Sequence, residues 1–505
     1  MQPFVVMGLH FPDLGFLAWI HLVPIVVAVH RQNFKRKLVL FWLTGTLGLM
    51  GMLYWLNIAL QGYGGLGFLS AIGSVFALVL LLTFMMALPL ALACWINRLN
   101  KMPLFLLLPA FMLVRDLAAN YLPWGGFPWM LPAYSQGQWL NFFQWIDYTG
   151  ALGLSFYIYL VNGLIADGLI LFLYGKQLDK FVSRLLVVFM LSLASLFLSF
   201  LSARGFEKSV MHKGNILVAL LQANIAQDVK WDHYQAQSNL DRYLKLTNQA
   251  VKNGAELVLW PETSYPYRLI EETLFEEPFL EQSEMAVPLF FGGVVSHASG
   301  RDRRQYNGVF HVDTQARIVA KAYKIHLVPF GEYLPHAKLL SHLGSLVQEV
   351  GAFEAGKDFP LFEVKNFKFA SLICFEDVFP NIAREYTKRG ADILVNYTND
   401  AWYNDSSAQY QHLVFSQFRA LENRKPLIRV TNTGYTAVIN ASGDVIDEIA
   451  PFTETSLLHQ LKVETAESFY TRHGNVWAYF VIGAAILIFV YTLAKWLMGP
   501  VRKVD

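Results

Sequence analysis

The chain has 505 residues, more than one ordinary domain holds. Apolar residues make up 54% and charged residues 15%, against about 25% charged in a soluble protein, so much of the chain is expected in lipid. A formal net charge of +2 gives no ground for a nucleic-acid partner, and two cysteines, one inside an apolar stretch, leave no internal disulfide to expect.

The opening "MQPFVVMGLHF" (1–11) is apolar but lacks a basic start and a small-residue cleavage site. It reads as an anchoring stub or a short extra membrane segment rather than a signal peptide. Apolar stretches of spanning length follow near 14–30, 38–60, 67–94, 104–120, 150–174 and 181–202, with a seventh at 475–498. The loops sort by charge. "RQNFKRK" (31–37), "NRLNK" (97–101), "GKQLDKFVSR" (175–184) and the tail "VRKVD" (501–505) are basic, whereas 61–66 and 121–149 hold no Lys or Arg. Positive loops stay cytoplasmic, so 203 to about 472 is expected on the opposite side. The expected domains are a multispan helical domain at 1–202, an exported catalytic domain at 203–472, and a closing helix with a short basic tail at 473–505.

Hydrophobicity changes near "SARGFEKSVMHKG" (202–214). Beyond it, 215–225, 255–262, 288–296, 307–313, 367–377, 391–400 and 427–434 read as strands, and 436–449 as a hairpin around Ser442-Gly443. Helical patterns at 232–252, 378–389 and 406–424 lie between them, so the block is expected to be a layered α/β domain.

Three strand ends carry chemistry: "LVLWPE" ends on Glu262, "ARIVAKAYK" on Lys324 and "FASLIC" on Cys374. Taken singly, a Glu or Lys there is usually just solvated, and a lone Cys is usually core. Together they form a machine for acyl transfer. A carboxylate takes the thiol proton, and an ammonium favours thiolate and steadies the oxyanion formed on attack. No zinc-spaced cluster or phosphate loop is visible, so neither metal nor cofactor is expected.

"LVLWPET", "KAYKIHLVPFGEYLP" and "LICFED" resemble, in order, the three catalytic motifs of the nitrilase, or carbon–nitrogen hydrolase, superfamily. The resemblance covers roughly 215–455 and implies an α-β-β-α sandwich with Glu262 as base, Lys324 as oxyanion stabiliser and Cys374 as nucleophile. With the flanking spans, "LLQANIAQDVKW", "GGFPW", "YSQ", "NDAWY" and "YTRHGNVW" make the whole chain similar to the apolipoprotein N-acyltransferase family. That family usually begins with a further membrane segment, for which only 1–11 is available here.

The resemblance implies a multi-pass protein of the bacterial inner membrane whose catalytic domain faces the periplasm. It implies acyl transfer from a phospholipid, typically phosphatidylethanolamine, through a Cys374 thioester to the α-amine of a diacylglyceryl-cysteine apolipoprotein. Glu332 in "PFGEY" matches a supporting acid. Glu376, two residues past the nucleophile, would share its strand face and support the site. Trp231 and Trp402 match substrate-side aromatics, against the plainer reading of packed rings. Arg115 and Asp116 read as a structural pair, Cys94 as packing, and Asp167 within a span is unexplained. The rival readings are a membrane-tethered amidase with the same triad, which has no use for so many spans, and a transporter, which predicts more paired polar residues within them.

Overall fold

In lipid every backbone N–H and C=O must be bonded within its own segment, so the long apolar runs become helices. The computed structural model describes residues 4–6, 9–11, 14–62, 64–276, 287–297, 304–335 and 353–498; the basic tail 501–505 and part of the 1–11 stub lie outside them. Among the described residues four helices are long and apolar enough to cross a membrane: Phe68–Asn100, Ile146–Gly175, Leu178–Ser209 and Val476–Met498. Phe34–Met52 and Trp55–Gly62, bent by 59°, make a fifth if counted as one broken span. The helical half is thus that of a multi-pass membrane protein.

Two of the seven expected spans are shorter. The 14–30 stretch splits into Gly15–Trp19 and Val23–Ala28. Asn162 bridges the break, accepting from the Leu22 N–H at 2.9 Å and donating to the Ala18 carbonyl at 2.9 Å. The 104–120 stretch gives Leu104–Ala118, 15 residues, about 22 Å at 1.5 Å per residue. Its first turn is capped by Asp167, whose Oδ2 accepts from the Phe105 N–H at 3.1 Å. That accounts for the acid left unexplained by sequence. Gly163 permits the approach, since a Cβ there would lie 2.6 Å from Phe105 Cα. Arg115 and Asp116 form a buried pair at 2.7 Å, with the Tyr159 hydroxyl donating to Asp116 at 3.3 Å, and Cys94 is packed within a helix core.

Beyond 210 the chain builds two sheets. One runs in the order 455–465, 211–222, 257–259, 289–296, 305–312, 318–323, with 268–270 paired to 289–296. The other runs 445–449, 436–439, 427–431, 393–398, 367–373, 362–364. Strand alternation sorts the side chains into layers. Leu257 and Leu259 face inward to a core with Phe290, Phe362 and Phe369, whereas Val258 and Trp260 face outward onto Tyr243 and Leu246 of helix Ala236–Lys252. Helices Pro380–Lys388 and Ser407–Asn423 pack on the second sheet. The result is the α-β-β-α sandwich expected. The strand Thr455–Thr465 was not anticipated, yet it pairs along its length with Met211–Gln222.

The two halves are joined by buried charge. Helix Ile146–Gly175 breaks at Gly150 (φ 65°, ψ −179°), and the Ala151 N–H freed there donates to Glu422 Oε1 at 2.7 Å. Arg424, at the left-handed end of helix Ser407–Asn423, reaches Asp147 at 2.9 Å, Gln144 Oε1 at 2.7 Å and Ser202 Oγ at 2.9 Å.

Candidate active site

Strand Phe367–Ile373 stops because Cys374 turns to φ 54°, and a 3₁₀ turn, Cys374–Val378, follows. A left-handed non-glycine costs on the order of 1–2 kcal/mol, so the surroundings must hold it. The reading of 367–377 as one strand is corrected here, and with it the idea that Glu376 shares a strand face with Cys374. Glu376 folds back instead. Its Oε2 accepts from the Ile373 N–H at 2.7 Å, and its Oε1 from the Ile325 and His326 N–H groups at 2.6 and 3.0 Å. One carboxyl thereby pins the thiol turn to the segment just after Lys324. The Cys374 carbonyl accepts from Asn396 Nδ2 at 2.9 Å.

Glu262 sits just past strand Leu257–Leu259, where Pro261 prevents further ladder pairing. The next residue, Thr263, is left-handed at φ 47°. Gly292 lets this arm lie against strand Leu289–Ser296: a Cβ there would meet Pro261 O and Thr263 N at 2.5 Å. On the carbonyl side, Lys230 Nζ donates to Glu262 O at 3.0 Å. Lys324 follows strand Ile318–Tyr323. Its ammonium is 2.8 Å from Glu332 Oε1 and 3.6 Å from Glu262 Oε1. Asn307 Nδ2 donates to both acids, at 2.8 Å to Glu262 and 3.1 Å to Glu332. Glu332 is fixed further by the Val328 N–H at 2.8 Å.

The electrostatics fit the chemistry. Burial pushes the Cys374 thiol well above its ordinary range, and Glu262 adds to this, against Lys324 and a hydrogen bond to Thr398. The resting group is therefore a neutral thiol that needs a base. Burial opposes charge on Lys324, but Glu332, Glu262 and Cys374 outweigh it and keep the ammonium charged. Beneath the thiol turn lies a second buried cluster. His412 is bracketed by Asp377 at 2.9 Å and Asp400 at 3.0 Å. Arg429 contacts the same two acids at 3.3 and 2.7 Å and donates to Asn396 Oδ1 at 2.6 Å. Burial and Arg429 oppose a proton on His412, yet the two aspartates raise it to about 9.

Aromatic rings from the helical half close in on this centre. Phe127 and Trp129 each lie 6.2 Å from Phe375, the residue after Cys374. Trp124 packs edge-on against Phe330 at 4.9 Å, and the Tyr333 hydroxyl donates to the Trp124 carbonyl at 2.9 Å.

Glu262, Lys324, Glu332 and Asn307 thus form one bonded network, and Glu376 ties the segment just after Lys324 to the Cys374 turn. Trp231 and Trp402 are not in it; they are 46% and 38% exposed. Trp231 follows Lys230 directly, and Trp402 lies on the turn Asp400–Tyr403. Asn307, Lys230, Gly292, Asn396, His412 and Arg429 were missed by sequence. The available signal was polar residues inside apolar central strands, Asn396 in "ILVNYT" and Arg429 in "LIRVT". Among the described residues no group of three or more His, Cys, Asp or Glu could hold a metal ion.

Residues 217–471 match the carbon-nitrogen hydrolase family, and residues 4–164 match the apolipoprotein N-acyltransferase N-terminal domain. An apolipoprotein N-acyltransferase of Geobacter metallireducens is 31% identical over 96% of this chain and 92% of its own length. One from Pasteurella multocida is 27% identical over 92% and 89% respectively. Among solved structures, an amidase from Nesterenkonia sp. is similar over 50% of this chain and 92% of its own, at 19% identity and a TM-score of 0.36. With a hydrolase domain, the matching N-terminal domain and a near-full-length relative above 30% identity, the chain belongs to the apolipoprotein N-acyltransferase family.

Proposed function

We propose that this enzyme moves a fatty acyl chain from a membrane phospholipid, typically phosphatidylethanolamine, to the α-amine of a diacylglyceryl-cysteine apolipoprotein. Glu262 removes the Cys374 proton, and the thiolate attacks the ester carbonyl. Lys324 and a backbone N–H beside Cys374 hold the oxyanion. Collapse expels the lysophospholipid alkoxide, which takes the proton back from Glu262 and leaves a thioester on Cys374. The acceptor amine then attacks, Glu262 takes its proton, and the departing thiolate is reprotonated. Glu332 holds Lys324, Glu376 holds the thiol turn, and Trp231 and Trp402 border the entrance for substrate.

The observation that supports the reading is that Lys324 and Glu262 pair at 3.6 Å, while aromatic residues of the helical half pack against Phe375, the residue after Cys374. The orientation that goes with it is periplasmic, in the inner membrane of a bacterium, with 1–202 as the membrane domain, 203–472 as the catalytic domain and 473–505 as the closing anchor.

Purified protein incubated with phosphatidylethanolamine alone should gain one acyl chain by intact mass. Cys374→Ser should gain none while remaining folded, because an alcohol is a far weaker nucleophile at neutral pH. Cys94→Ser should gain it normally. An adduct in Cys374→Ser would end this mechanism.

A further inference from the structure

Lys230 is unaccounted for by the roles above. It lies in the loop between strand Met211–Gln222 and helix Ala236–Lys252, and the loop is held at several points. Asn399 donates to Gln227 at 2.7 Å, and Asn239 donates to the Val229 carbonyl at 3.2 Å. The side chain is 5% exposed. A buried ammonium normally sits on a carboxylate, because losing water is costly unless opposite charge replaces it. Among the described residues Lys230 forms no ion pair within 4.0 Å, and its hydrogen bond goes to a neutral acceptor, the Glu262 carbonyl at 3.0 Å.

The charge count around the thiol explains why such a group is useful. Lys324 is shared by two carboxylates, Glu332 and Glu262. One ammonium against these two carboxylates, with Glu376 a further acid at the thiol turn, leaves an excess of negative charge, and that opposes a thiolate. A second ammonium offsets part of it. Its hydrogen bond also fixes the peptide between Glu262 and the strained Thr263, on the side away from Gly292.

We propose that Lys230 is a positioning residue of acyl transfer: it anchors the main chain of Glu262 and supplies, with Lys324, the positive charge against which the Cys374 thiolate forms. This rests on the roles given to Glu262 and Cys374 above. Burial pulls Lys230 down to about 8, while Glu262 and Cys374 act to keep it protonated, so it carries charge at neutral pH.

The test uses full-length protein carrying Cys94→Ser, so that one thiol remains. Lys230→Gln keeps a donor for the Glu262 carbonyl but removes the charge, Lys230→Met removes both, and Lys230→Arg keeps the charge. Iodoacetamide alkylation of Cys374 is followed by mass from pH 6 to 10, beside acyl-adduct formation from phosphatidylethanolamine. In Lys230→Gln and Lys230→Met alkylation should be roughly tenfold slower than in wild type at each pH in this range. Lys230→Arg should stay closer to wild type. Wild-type alkylation rates across this range in Lys230→Gln overturn the proposal. Should the uncharged variants not fold, ¹⁵N-lysine NMR decides, with the Lys230 signal assigned by its loss in Lys230→Arg. The signal should titrate below the ordinary lysine range, and its midpoint should fall in Glu262→Gln, which removes the carboxylate that favours its charge; an unchanged midpoint overturns the proposal. Cys374→Ala run alongside separates the two levels. An adduct there sinks the reaction itself, whereas a dead Cys374→Ala with wild-type Lys230→Gln sinks only the role of Lys230.

Discussion

Raising the pH should loosen the floor of the site through one group, His412. Both of its ring nitrogens face carboxylates, Nδ1 on Asp400 at 3.0 Å and Nε2 on Asp377 at 2.9 Å. Two acceptor-only partners require two N–H donors, so the ring is an imidazolium. Its pKa is raised from 6.5 to about 9: burial and Arg429 pull it down, but Asp377 and Asp400 prevail. A shift of that size, at 1.36 kcal/mol per unit, corresponds to about 3 kcal/mol of stability. Because the folded value lies above the unfolded one, the contribution is complete below about pH 6.5 and is lost as pH rises through about 9. Replacing His412 with Gln removes the titration while keeping a polar side chain. Thermal unfolding of both proteins in one detergent, from pH 6 to 10, isolates this group, since every other titration is shared. The gap between wild type and His412→Gln should be widest near pH 6 and narrow steadily towards pH 10. A gap that does not change with pH would falsify the imidazolium assignment.

Gly292→Ala should cripple acyl-adduct formation by roughly 100-fold, because a Cβ 2.5 Å from Pro261 O and Thr263 N forces the Glu262 arm to move; intact-mass kinetics unchanged from wild type would show that the arm has slack. Glu262→Gln should stall adduct formation at neutral pH and recover partly towards pH 10, as hydroxide replaces the missing base. Lys324→Met should lose about 100- to 1000-fold and recover less, since the oxyanion still lacks its partner; equal recovery of the two variants would merge their roles. A membrane-impermeant thiol reagent added outside spheroplasts should label a cysteine placed at Asn215 and miss one placed at Gln177. The reverse pattern would invert the proposed orientation.

What the sequence revealed follows from how locally each signal is written. Hydropathy is a sum over neighbours, so the long helices were legible, and strand periodicity with the three motifs located Glu262, Lys324 and Cys374. That two of the expected spans are short or broken was not legible, because apolar length alone does not show that Asn162 and Asp167 stitch a broken or newly started turn from a distant helix. Strand Thr455–Thr465 was missed because its partner, Met211–Gln222, lies more than 200 residues earlier. Glu376 was seen as an acid near Cys374, but its placement depends on N–H groups of Ile325 and His326 that no local pattern reveals. Asn307, Lys230 and His412 share this difficulty. Their meaning lies in partners brought close by folding, and a single polar residue in a strand or loop does not announce them.

The buried contacts between Arg424, Asp147 and Ser202, and between Glu422 and the freed Ala151 N–H, bear on inheritance as much as on stability. Arg424 and Asp147 are the two halves of a charge arrangement that is tolerable only when complete, and removing one partner of such a buried pair costs about 3–5 kcal/mol, whereas Glu422 keeps Arg419 of its own helix as counter-ion at 2.8 Å. A mutation at Asp147 therefore strands Arg424 on the far side of the junction, and can persist only if Arg424 changes with it. The helical and hydrolase halves must then descend together, so chimaeras that exchange one half between distant relatives should fail unless Arg424, Asp147 and Ser202 travel as a set. A soluble fragment starting near 203 would leave Arg424 and Glu422 without Asp147, Ser202 and the Ala151 N–H. Cutting the chain there would separate the sandwich from part of its own foundation.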